Sequence, residues 1–345
     1  MYEKYIVKYD EAVKQSFNNI KEIHSGKLKF VDTGFNVLNS IFFNGLQTNR
    51  IMIVAALSSV GKTTYVGQLR DNILSLNSNI KWLSFNFEMI ASDIIDNSIV
   101  SEMSVDLKTL YGVNKKFTEK EIVDLEKKFT NKTQNKNLDF IDVPIDYNLI
   151  AEIIYEYWKK ECLPKNLTLM YDIDHALITL GVNNDSETTK VENLMKALNI
   201  VKKRIASKGG HCIGIVLSQV KRDLESKERI SDKIQHYPKK SDLTYSQALE
   251  HYSDIIIILH NPSKLSLLNY GIHNYPIYIK YKENVYPIVY AHIVKARRVD
   301  PDKVIVLLPL LSLFKFKEIP ADIFTETLTN KFKNVANQSI IEIKK

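Results

Sequence analysis

Apolar positions along the chain follow two alternating rhythms. Six short stretches, 51–56, 80–87, 138–143, 167–173, 212–217 and 255–259, are rich in apolar and β-branched residues, several almost throughout. Such runs predict strands covered on both faces. Between them the apolar positions recur every three to four residues. Val66, Leu69, Ile73 and Leu76 share one face of a helix after Thr63. Ile122, Leu125 and Phe129 share a face of another, which opens at Thr118 with Glu121 completing a capping box. Val191, Leu194, Leu198, Val201 and Ile205 line a third, stopped by Gly209 and Gly210. This alternation predicts an α/β fold with a mainly parallel sheet. From about Tyr278 to Phe316 the chain is rich in Tyr, Val and Ile and reads as further strands, antiparallel at the sheet edge. Residues 1–25 read as an amphipathic helix and a link. The polar stretches 181–190 and 221–242 read as loops, long enough that a function is expected of them.

Composition narrows the class without naming a function. The chain has 345 residues, 45% apolar and 25% charged, enough to bury a core in one large domain or two moderate ones. Forty-seven Lys and Arg against 40 Asp and Glu leave a net charge of +7, compatible with a polyanionic partner but not evidence for one. Cys162 and Cys212 lie far apart without metal-ligand spacing, which predicts two buried free thiols in a reducing compartment. The charged N-terminal stretch and the lack of any apolar run near the ~20 residues a bilayer requires predict a cytoplasmic protein with no membrane role.

The chemistry begins at "VAALSSVGKTTYVGQL" (54–69), where an apolar strand runs into Gly-Lys-Thr and then a helix. A loop of this kind surrounds a phosphate with backbone N–H groups at a helix N-terminus. Ser58, Ser59, Val60, Gly61, Lys62, Thr63 and Thr64 are the expected nucleotide-binding residues. Lys62 would reach the β- and γ-phosphates, and the Thr63 hydroxyl would bind Mg²⁺. Gly61 permits close approach of the backbone. The first loop position, ordinarily Gly, is Ala56.

From about Thr33 to Phe316 the chain resembles the C-terminal motor domain of DnaB-type replicative helicases, which typically has Ala at that position. "TGFNVLNSIFFNGL" (33–46) is similar to the family's entry segment, with Asn39 in place of the usual Asp. "FNFEM" (85–89), "LTLMYDIDHALI" (167–178), "GIVLSQVKR" (214–222), "SDLTYSQALEHYSD" (241–254) and "HIVKARR" (292–298) resemble further family motifs in the family's order. Thr244 and Gln247 depart from the usual Arg and Gly, and 262–285 looks like an extra hairpin.

The resemblance implies a RecA-like P-loop NTPase core over 31–320, with an N-terminal helix and linker before it (1–30) and a C-terminal tail after it (321–345). It implies Glu88 as the catalytic carboxylate and Gln219 as the γ-phosphate sensor. Asp174 or Asp172 would hold the Mg²⁺ shell, with Asp174 favoured and His175 as packing. Lys295 and Arg297 would be cationic fingers that enter a neighbouring subunit's site. ATP and Mg²⁺ are the implied cofactors. The implied partners are single-stranded DNA, copies of the chain in a ring, a hexamer in the family's manner, and a primase or loader. Lys221, Arg222, Lys227 and Arg229, with Lys233, Lys239 and Lys240, would face the strand from 221–242, and 181–190 would line the same channel. A solvated basic loop is the plainer reading of those charges. A RecA-like, DNA-stimulated ATPase that forms filaments or acts as a switch without unwinding is the alternative function.

Overall fold

The computed structural model describes residues 6–26, 30–131, 137–174, 186–281 and 283–320, and the backbone of 340–342. Helices α1 (Tyr9–His24) and α2 (Asn36–Ile41) precede β1 (Arg50–Ala56), α3 (Lys62–Leu76) and β2 (Ile80–Asn86). Next come α4 (Ala91–Met103), α5 (Leu107–Leu110), α6 (Glu119–Thr130), β3 (Leu138–Ile141), α7 (Tyr147–Tyr157) and β4 (Thr168–Asp174). Then follow α8 (Glu187–Ser207), β5 (Cys212–Gln219), α9 (Lys227–Ser231), α10 (Ser246–Tyr252) and β6 (Ile255–His260). Strands β7 (Tyr278–Tyr281), β8 (Asn284–Pro287), β9 (Val289–Ala296), β10 (Lys303–Leu310), β11 (Lys315–Ile319) and β12 (Ile340–Glu342) complete the described elements. All six expected strands are present, with ends moved by no more than two residues.

Nine strands form one sheet in the order β11-β10-β9-β6-β1-β5-β4-β2-β3. From β6 to β3 every pairing is parallel. The β6–β9, β9–β10 and β10–β11 pairings are antiparallel, so β9 to β11 of the expected antiparallel strands lie at one edge, whereas β7 and β8 from the same stretch do not. Strand β1 sits inside the sheet, and every residue from Ile51 to Ala56 is buried. Its alternate side chains feed opposite faces. Ile51, Ile53 and Ala55 pack with α7, α8 and α10, whereas Met52, Val54 and Ala56 pack with α2 and α3. A strand covered on both sides has no polar positions to alternate, which is why the run is apolar throughout.

Several expectations change. The loop expected at 181–190 is shorter at its far end: Ser186 caps α8 and Glu187 begins it, while 181–185 and His175 lie outside the described residues. The stretch 221–242 is not an open loop. It folds into α9 and three tight helical turns. The capping box at Thr118 and Glu121 is present, yet α6 buries none of its residues. The expected hairpin in 262–285 exists as β7–β8, which joins β12 in a separate three-stranded sheet.

Candidate functional site

In an open α/β sheet, ligands bind beyond the carboxyl ends of the parallel strands. At that edge β1 ends at Ala56 and α3 starts at Lys62. Ala56 is buried, paired with Gln219 on one side and Leu259 on the other, and has ordinary strand geometry, so nothing there demands glycine. Positive φ occurs instead at Ser59 (59°) and Gly61 (103°). Gly61 is irreplaceable on two counts. Its backbone lies in a region L side chains avoid, and a Cβ would come within 2.7 Å of Leu311 and 2.8 Å of Phe316. Among the described residues, the N–H groups of Ser59, Val60, Gly61 and Lys62 have no acceptor in the chain. Donors turned together at a helix start are an anion site. Ser58 and Ser59 are exposed, Val60 is buried, and Thr63 and Thr64 line a cleft of about 380 Å³.

Around the loop stand the charges. Thr63 Oγ1 donates to Asp174 Oδ2 at 2.9 Å. Among the described residues, Asp174 Oδ1 is buried without a hydrogen-bond partner. Burial raises the Asp174 carboxyl to about 6, against the opposing pull of Lys62 and the Thr63 hydroxyl. Burial also lowers the Lys62 ammonium, which Asp174 and Glu88 partly restore. Each group is thus short of compensating charge, as a site that receives a charged ligand should be. Strands β2 and β4 pair Asn86 with Asp174, and the Phe87 N–H donates to the Asp174 carbonyl at 2.7 Å. Glu88 therefore leaves β2 beside Asp174 and is exposed. Gln219 ends β5 next to Ala56 and is exposed as well.

Asp172 has other work. Its Oδ1 accepts from Trp82 Nε1 at 2.5 Å and Ser84 Oγ at 2.7 Å, and it is fully enclosed. It ties β4 to β2, leaving Asp174 as the carboxylate that faces Thr63. Among the described residues no group of three or more His, Cys, Asp or Glu forms a metal cage. A hard cation would thus share Thr63 and Asp174 with phosphate oxygens, as Mg²⁺ prefers. The unpartnered Asp174 oxygen fits that role.

Lys295 and Arg297 lie at the other end of the sheet. Ala296 pairs with Ile255, which pairs with Met52, so Arg297 emerges about 16 Å along the strands from the Ala56 edge. Lys295 Nζ donates to the Ser253 carbonyl at 2.8 Å and to the Glu250 carbonyl, closing the end of α10. Arg297 Nη1 donates to Asp254 Oδ1 at 3.2 Å while much of its side chain stays exposed. Neither cation can serve the phosphate loop of its own chain.

The basic stretch divides. Lys221, Arg222 and Lys227 are exposed, although Lys221 Nζ donates to the Ser241 carbonyl at 3.1 Å. Arg229 is a correction. Its guanidinium pairs with Asp242 and donates to the carbonyls of Gln235 (3.0 Å) and Tyr237 (2.9 Å), holding the stretch closed instead of facing a strand. One contact went unforeseen. Lys264, in the turn after β6, donates to the Ser58 carbonyl of the phosphate loop at 2.8 Å. A lysine just past a strand adjoining β1 is the only sequence signal for it.

Residues 31–301 match the family described as DnaB-like helicase C terminal domain. The chain is 26% identical over 257 residues to a replicative DNA helicase DnaB of Leifsonia xyli subsp. xyli, covering 73% of this chain and 52% of that protein. It is 30% identical over 246 residues to a replicative DNA helicase DnaB of Pasteurella multocida, covering 69% of this chain and 48% of that protein. The chain thus spans about half the length of the curated relatives it matches. Among solved structures, a chain described as an ATPase domain superposes with a TM-score of 0.70 at 19% identity, over 91% of this chain and all of that one. That likeness shows the fold, a RecA-like arrangement. With its parallel sheet, its phosphate loop and a family match across most of its length, the chain belongs to the DnaB-like helicase C-terminal domain family.

Proposed function

We propose that this chain is an ATP-hydrolysing motor of a replicative DNA helicase, assembled as a ring, hexameric in the manner the resemblance implies, around single-stranded DNA. The observation that carries the reading is the convergence of Lys62, Thr63, Asp174 and Glu88 at one sheet edge, over a loop whose N–H groups from Ser59 to Lys62 lack acceptors among the described residues. Loop N–H groups and Lys62 bind the phosphates. Thr63 and Asp174 would hold Mg²⁺, which would supply neutralisation of the phosphate charge. Glu88, exposed and beside Asp174, orients the attacking water and accepts its proton. Gln219, adjoining Ala56, senses the terminal phosphate and passes its presence to 221–242, where Lys221, Arg222 and Lys227 meet the strand backbone.

The position of Arg297 supports a shared site. It lies at the far end of the sheet from its own loop, so it completes the site of a second copy, where its planar fork meets spread phosphoryl charge. A primase or a loader would be a partner of the assembled ring; a solved DnaB-like replicative helicase at 20% identity is described with its interactions with primase.

Strand separation on a forked duplex is the test. The unaltered chain separates strands with ATP, and Glu88→Gln binds nucleotide but does not turn over. Hydrolysis stimulated by single strands without strand separation would replace this reading with the filament or switch ATPase.

A further inference from the structure

The segment after β6 is unassigned by the motor reading, yet it touches the phosphate loop. Asn261 Oδ1 accepts from the Ser263 N–H at 3.1 Å and the Ser263 hydroxyl at 2.7 Å, which closes a tight turn over Pro262–Leu265. Pro262 and Leu265 are buried and anchor it, so Lys264 between them is aimed outward across the loop. Its ammonium meets the Ser58 carbonyl at 2.8 Å.

We propose that Lys264 is a positioning residue of the nucleotide site: by holding the Ser58 carbonyl it fixes the Ser58–Ser59 peptide with the Ser59 N–H turned inward to the phosphate. In a trans peptide the C=O and the following N–H point in opposite directions. A carbonyl pinned from outside the loop therefore sends the Ser59 N–H to the inside. The same peptide precedes Ser59, whose φ of 59° costs a non-glycine residue free energy. An unpinned peptide can flip and relieve that cost, and the anion site then loses a donor. Ser58 and Ser59 are both exposed, so no packing does this job in place of Lys264.

The chain that follows the turn is held in place as well. Gly271 N–H donates to His236 Nδ1 at 3.0 Å, and Lys233 Nζ donates to Asn274 Oδ1 at 2.6 Å. Tyr270 OH bridges His260 Nδ1 (2.7 Å) and His292 Nε2 (2.8 Å). Residues 270–274, downstream of Lys264, are thus bound to β6, β9 and the 221–242 stretch.

The inference rests on the nucleotide reading proposed above, and the test separates the two. Affinity for fluorescent ADP with Mg²⁺ is measured on the full chain. Lys264→Ala weakens binding roughly three- to tenfold, as loss of one hydrogen bond from a charged group predicts. It raises KM for ATP by a similar factor and leaves kcat within about twofold, because the pinned peptide binds ground and transition states alike. In a Ser59→Gly background, where positive φ costs little, the same substitution loses under about twofold. Unchanged ADP affinity in Lys264→Ala, while Lys62→Ala abolishes binding, overturns the inference and leaves the nucleotide reading standing. An equal loss in both backgrounds overturns it too, since Lys264 would then act on the phosphate directly. If the unaltered chain binds no nucleotide, both fall.

Discussion

At the scale of single residues, the site is built from groups that are costly to keep. Asp174 is the clearest case. Burial raises its carboxyl from 3.8 to about 6, so the folded chain holds a proton that the unfolded chain has lost between those values. The sign follows: this group favours the fold at acid pH and loses that contribution as pH rises through about 6. Above that, the ionised carboxylate costs the ligand-free protein on the order of 2–3 kcal/mol. Asp174→Asn is therefore expected to raise the melting temperature at pH 7.5 in EDTA and to have little effect near pH 4, while Mg²⁺-dependent hydrolysis is lost. Thermal melts across pH check it; a variant equally stable or weaker at pH 7.5 contradicts the account. Lys62, Thr63 and Asp174 were legible in the sequence because each sits at a strand end or a loop that local pattern marks. The strand pattern alone did not separate Asp172 from Asp174, because both face one side of β4; the family resemblance favoured Asp174, and the contacts of Trp82 and Ser84 set Asp172 apart. Arg229 misled for a like reason. Charge is visible in a sequence, but the acceptors that consume it at Asp242, Gln235 and Tyr237 are not.

At the scale of elements, the phosphate loop depends on an edge strand far away in sequence. Gln68, on the first turns of α3, donates to the Phe316 carbonyl at 3.0 Å and accepts from the Phe316 N–H at 2.6 Å. Its amide thus pairs with β11 as a neighbouring strand would. Two residues on, the Glu318 carboxylate takes the N–H groups of Val37 (2.9 Å) and Leu38 (3.1 Å) and so caps α2. Removing either group leaves backbone donors unpaired, which costs about 1–3 kcal/mol. Gln68→Ala is expected to lower the urea midpoint by that measure and, through Phe316 against Gly61, to loosen nucleotide binding. Gln68→Glu, which accepts but cannot donate, should fall at least as far. The strands of the core were readable because full burial writes an apolar run. The α6 stripe of Ile122, Leu125 and Phe129 shows the limit: periodicity identifies a face but does not say what covers it, and here α6 buries no residue. Sheet order was equally hidden, since β1 pairs with β5 and β6 over long separations.

At the scale of the whole molecule, the phosphate loop and Arg297 lie at opposite ends of one sheet. Lys62 stands where the parallel strands end, and Arg297 where they begin, tied to Asp254 but largely exposed. If Arg297 serves a second copy's loop as proposed, hydrolysis is expected to need an assembled particle. Helix α1 suits the same end. Val13, Phe17 and Ile20 lie on one face at helical spacing, and Phe17 and Ile20 are exposed. Its polar residues Glu11, Lys14, Gln15 and Asn18 line a cleft with Gly209, Gly210 and His211 of the same chain. Phe17 and Ile20 thus stay exposed, available to a neighbouring copy in the proposed ring. Phe17→Asp touches no buried contact and is expected to change the stability of the protomer by less than about 0.5 kcal/mol. It should nevertheless reduce particle mass by light scattering and lower hydrolysis in step, with partial recovery at high protein concentration. Mixing gives the stricter check. On the proposed reading Lys62→Ala loses phosphate binding and Arg297→Ala loses the finger, so each alone is expected to be inactive. Combined, they form some seams with an intact loop from one chain and an intact finger from the other, and hydrolysis returns in part. If the mixture stays as inactive as its components while light scattering shows full-sized particles, Arg297 does not act across the seam, and its bond to Asp254 is its whole role.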